Sequence, residues 1–161
     1  MAAATYTTPA SGTEPTVFAM DSFYDVILSL VDVVESEEHL EAIALEEGAD
    51  VECAQDAAIS AWHRAEAATS AFLRANSNAP ASADLVEVAE RVDAVLSLNG
   101  IECRDDLFGA VTDVMVMRSF VPAGSPVDHL IAAALPWLYR LSIRQTPFVP
   151  EYADDPGSMA A

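Results

Sequence analysis

The stretch DVECAQDAAISAWHRAEAATSAFLRA, residues 50–75, decides the fold. Ala54, Ala58, Ala61, Ala65, Ala68 and Phe72 recur every three or four positions, the period of one helix face. Glu52, Asp56, His63 and Glu66 fall on the opposite side. Asp50 stands where an N-cap would accept a free backbone N–H, and neither glycine nor proline interrupts the run. Side chains this small let a neighbouring helix approach closely. The spacing predicts a long, central helix over 51–75.

Toward the N-terminus, Phe23, Val26, Ile27, Leu30 and Val34 share one side of a helix, and Asp21, Asp25, Ser29 and Asp32 the other. Asp21 reads as its N-cap. Glu37 and Glu38 stand where the apolar stripe should continue, so the pattern predicts a break, with Ser36 capping a new helix. Leu40, Ile43 and Ala44 would be its short stripe and Gly48 its end.

Toward the C-terminus, a loop around Pro80 leads to Ser82, which opens a helix with Leu85, Val88, Ala89, Val92, Val95 and Leu96 inward. Asn99-Gly100 is its stop signal. The segment 107–118 reads two ways. A helix from Asp105 or Asp106 would turn Leu107, Val111, Val114 and Met115 inward, whereas Val111–Met117 is also rich enough in β-formers for a strand. Helix is favoured, because no partner strand is visible elsewhere. VPAGSP (121–126) is a turn, and Ser125-Pro126 with Asp128 starts a last helix with Leu130, Ala134, Leu138 and Leu141 inward. Pro136 must kink or restart it. The fold class is all-α: a single compact bundle of five to seven helices over 20–145. A mobile N-terminal arm covers 1–19, and an extended Pro-rich tail covers 146–161.

The chain has 161 residues, 52% of them hydrophobic, which suffices for one core and excludes global disorder. Its 26 acidic residues face 7 basic ones, a net charge of -19. All the basic residues are arginines, at 64, 74, 91, 104, 118, 140 and 144; the chain is lysine-free. Direct binding of nucleic acid or of an anionic membrane therefore lacks the clustered cations it needs. No signal peptide opens the sequence and no apolar run reaches the roughly 20 residues of a membrane span. Cys53 and Cys103 form no CxxC pair and read as reduced thiols, so the expected location is cytoplasmic.

The charge is unevenly placed. Twelve carboxylates and no arginine lie between Asp21 and Asp56. Such a run loosely resembles the phosphate density of a nucleic-acid backbone, a surface that DNA-mimicking inhibitors present to basic grooves. A solvated coat is the plainer reading of the same charges.

Catalysis has little support. G-x-S-x-G and phosphate-binding glycine loops are absent, and the six glycines are scattered. His63-x-x-Glu66 is a single, reversed copy of a di-iron motif. Glu35 and His39 straddle the expected break, and His129 has no identifiable partner. Neither enzyme activity, metal nor cofactor is expected.

The expected function is an acidic helical binding protein that docks on a basic partner, by preference a nucleic-acid-binding protein, as an inhibitor, immunity protein or chaperone. Asp25, Asp32, Glu35, Glu37, Glu38, Glu41, Glu46 and Glu47 would make the contact. Trp137, Arg140 and Arg144 would serve self-association, meeting the acidic face of a second copy in a homodimer. The alternatives are an assembly component, for example viral, from a salt-adapted or GC-rich source, and a carboxylate/His metalloprotein.

Overall fold

Thr16 opens the part of the chain that the computed structural model describes, which comprises residues 16–46, 50–97 and 104–143. Its hydroxyl accepts the Ala19 N–H at 3.2 Å and caps helix α1, Val17–Ala44. Asp21 is thus not the cap; it lies in the second turn, exposed. Val17, Phe18 and Ala19, assigned above to the arm, form the first turn. The remaining expectations for the arm and the tail lie outside the described residues, as do Gly48, Asn99 and Gly100.

The expected break in α1 does not occur. At 100° per residue Glu37 falls in the sector already filled by Ala19, Phe23, Val26, Leu30 and Val33, and it is buried with them. The stripe continues through a carboxylate because a partner helix supplies a donor to it. Ser36 is mid-helix, and Leu40 and Ile43 extend the same α1.

Helix α2, Val51–Asn76, is capped by Asp50, whose carboxylate accepts the Cys53 N–H at 3.1 Å. Its buried side holds Ala54, Ala58, Ala61, Ala65 and Phe72, joined by Trp62, Thr69 and Asn76. Ala68 is half-buried. The small side chains pack against α1, the most extensive helix contact in the fold. The two helices are antiparallel, since Glu37 meets Trp62 and Phe23 meets Phe72 edge-to-face with ring centroids 5.3 Å apart. Yet α2 is not central: it packs on α1 and α3, whereas α3 touches all the other helices.

A single 3-10 turn, Pro80–Ser82, leads into α3, Ala83–Ser97, whose inward residues are the six expected. Residues 104–118 are helical as α4 (Arg104–Arg118), which packs on α3 and α5. Val111 and Val114 are buried there, but Met115 is 59% exposed and Met117 takes the inward place. The side chain of Leu107 lies outside the description.

Between α4 and α5 (Pro126–Ile143) the chain turns at Gly124, whose φ of 76° favours glycine. Ser125 Oγ accepts the Asp128 N–H at 3.1 Å, and the Asp128 carboxylate accepts from Gly124 N at 2.9 Å and Arg118 Nε at 2.6 Å. Helix α5 continues through Pro136, which is exposed, so the helix does not restart there. The described chain is an all-α bundle of five α-helices around one core, in which Phe23, Leu30, Phe72, Leu85 and Ile131 are fully enclosed.

Candidate partner-binding surface

Most of α1 is decided by which sector each residue occupies. Asp21, Asp25, Asp32 and Glu35 fall opposite the buried stripe and are exposed. Tyr24 and Leu28, one turn apart in the same sector, are also exposed, at 51% and 47%. Between Asp21 and Glu35 the outer face of α1 thus sets two large apolar side chains among four carboxylates.

The other residues expected to bind a partner divide. Glu41, in the last turn of α1, and Glu46, just beyond the helix, are exposed, and Glu47 lies outside the described residues. Glu37 cannot meet a partner: it is 1% exposed, and its Oε1 accepts the Trp62 indole N–H at 2.7 Å. Glu38 is half-buried and ion-paired with Arg140 of α5. Asp32 pairs with Arg64 of α2 at 3.7 Å, both side chains more than half exposed. The carboxylate run that contains no arginine in sequence therefore meets two arginines in space.

Arg140 also lies over the Trp137 ring, 5.2 Å from its centroid, and Trp137 is partly buried against the core. Two of the three residues expected to serve self-association are thus engaged within the chain, and Arg144 lies outside the described residues. In α2, Glu52, Asp56 and His63 are exposed and Glu66 half-buried. Among the described residues no three His, Cys, Asp or Glu side chains gather closely enough to hold a metal ion. No described helix is long and apolar enough to cross a membrane.

Charge spacing can be compared with a nucleic acid directly. Asp21 to Glu35 spans about 21 Å of helix axis. A duplex of that length would carry about 12 phosphates, against four carboxylates on the outer stripe. The α1 face is a mixed acidic and apolar surface, and it is sparser than a phosphate backbone.

Sequence reasoning missed Tyr24 and Leu28. Their i, i+4 spacing within the acidic sector was the available signal. Comparison with protein-family models, curated proteins and solved structures finds no match to this chain.

Proposed function

We propose that this chain is a non-enzymatic, cytoplasmic binding protein that docks through the outer face of α1 on the basic surface of a partner protein. The observation that carries the reading is the setting of Tyr24 and Leu28 among Asp21, Asp25, Asp32 and Glu35. An apolar centre with a charged rim is the anatomy of a protein interface: the centre supplies affinity, and the rim supplies orientation and on-rate. Among these four carboxylates only Asp32 has an ion pair among the described residues, so the others keep their field for a partner. Blocking a nucleic-acid-binding protein, neutralising a basic toxin and holding a basic client would all use this face alike. The free, exposed thiol of Cys53 suits a reducing compartment.

The test is capture from lysate at low salt, elution by rising salt, and identification by mass spectrometry. It is repeated with the triple variant Asp21→Lys, Asp25→Lys, Glu35→Lys, its folding checked by circular dichroism. A basic protein bound stoichiometrically by the native chain and released by salt is the expected result, with the variant at least about tenfold weaker. Equal capture by the variant would remove α1 from the reading.

A further inference from the structure

A second surface, on the α3–α4 side of the bundle, has two unlike walls. Asp84, Glu87 and Arg91, at i, i+3 and i+7 of α3, face Asp113, Val116 and Phe120, at i, i+3 and i+7 of α4 and its exit turn. Arg91 Nε stands 3.4 Å from Asp113 Oδ2 and closes one end. Between the walls lies a groove of about 350 Å³, floored by the buried Val121 and Ile131. Beyond the Arg91–Asp113 pair, the α3 wall presents two carboxylates and the α4 wall two apolar side chains.

The apolar wall is exposed in a way the fold does not require. Phe120 is 83% exposed although the adjacent Val121 is buried, and Val116 is more than half exposed. Met115 and Phe108 are also exposed, but on the flank of α4 that faces away from the groove. On the opposite wall, Asp84 and Glu87 have no ion pair among the described residues, and the groove's single guanidinium is ion-paired with Asp113, without a hydrogen bond from Nε. An occupant must therefore be apolar toward α4 and cationic toward α3. From Asp113 to Phe120 the groove runs about 10 Å, two turns of a helix.

We propose that this groove binds a basic amphipathic helix of a partner protein, with apolar side chains on Val116 and Phe120 and cations on Asp84 and Glu87. Helix-in-groove docking reads an i, i+3/i+4, i+7 pattern, which two turns accommodate. The chain's own segment 144–161 fits the charge poorly, because it carries Glu151, Asp154 and Asp155 against one arginine. This proposal goes beyond the α1 reading and does not rest on it, for the two surfaces share no residue.

The probe is a synthetic 18-residue helical peptide with leucines on one face and lysines on the other. It is titrated into the full-length, isotope-labelled protein and followed by backbone amide shifts. Expected are saturable shifts at Val116, Phe120 and Glu87, an affinity at least about tenfold weaker in Phe120→Ser and in Glu87→Lys, and no binding of the peptide with glutamate for lysine. Both positions are exposed, so neither substitution disturbs the core. Equal binding by Phe120→Ser overturns the proposal, as does binding of a scrambled peptide of the same composition. Shifts confined to α1 overturn it while leaving the α1 reading intact. A dimer in the free protein that Phe120→Ser dissociates assigns the groove to a second copy. Shifts at 144–161 on making Phe120→Ser without peptide assign it to the tail.

Discussion

A carboxylate in a hydrophobic core is costly unless its oxygens are bonded, and Glu37 is held by the indole N–H of Trp62. Replacing one member of the pair leaves the other without it. Trp62→Phe should lower the unfolding free energy by about 1–3 kcal/mol beyond the lost ring area. Glu37→Gln, which keeps an acceptor oxygen, should cost less than Glu37→Ala. Denaturant titration checks both, and a Trp62→Phe cost of a few tenths would mean that water replaces the indole. Asp128 makes a different demand. The hydrogen bond from Arg118, and then that from Gly124, holds its carboxyl below the usual value of 3.8. A depressed folded pKa means that its stabilisation is complete above about pH 4 and is lost as pH falls through the folded value. Asp128→Asn should therefore be less stable than the native chain at pH 7, with the gap narrowing at pH 2.5. An equal gap at both pH values would sink the assignment. Residue-level features were legible where their partners are local. Asp50 and the Ser125-Pro126-Asp128 start could be read because a cap and the N–H it serves lie three residues apart. The role of Glu37 could not, because its donor is 25 residues away.

Whether 17–44 is one helix or two turns on the residues around Ser36, and stability measurements distinguish the cases. At an N-cap, Ser36→Ala would cost about 1 kcal/mol. Inside a continuous helix the same change should be neutral or stabilising by up to about 0.5 kcal/mol, since alanine has the higher propensity. Thr16→Ala, at the cap that α1 does use, should instead cost about 0.5–2 kcal/mol. If Ser36→Ala were the costlier change, the helix would have to break where the charge pattern suggests. That pattern misleads because it treats every glutamate as solvent-facing, whereas the i, i+3, i+4 series 23, 26, 27, 30, 33, 34, 37 is unbroken in phase. In α4, composition could not separate helix from strand: Val111, Val114 and Val116 suit both, and only packing on α3 and α5 decides. Met115 was placed inward for its hydrophobicity, but the side facing α3 and α5 is filled by Val111, Val114 and Met117. The inward residues of α3 were legible in full because both of its sides follow one regular period.

Over the whole molecule, a net charge of -19 must be carried by a core of ordinary construction. Arg64 and Arg140 return from distant sequence to Asp32 and Glu38, but both pairs are substantially exposed, and such pairs contribute at most about 1 kcal/mol. Self-repulsion among the remaining carboxylates opposes them, and it is long-ranged only while the Debye length is long. Raising ionic strength from about 0.01 M to 0.15 M shortens that length from about 30 Å to 8 Å. The melting temperature should rise over this interval and then level off, because the fully enclosed Phe23, Leu30, Phe72, Leu85 and Ile131 need no salt to pack. A salt-adapted assembly component would behave otherwise, gaining helicity and stability continuously into the molar range. The same titration bears on partners. Charges whose mutual repulsion is screened by 0.15 M salt still act at contact distance, so the acidic sectors of α1 and α3 would orient a basic partner at short range. Their steering from afar, and with it the gain in on-rate, would be weaker at about 0.15 M salt than at low salt. Thermal scans across a chloride series, read by circular dichroism, thus decide two matters together. Levelling near physiological salt leaves the carboxylates available for a partner, whereas a climb toward molar salt makes them a coat that holds the fold in brine.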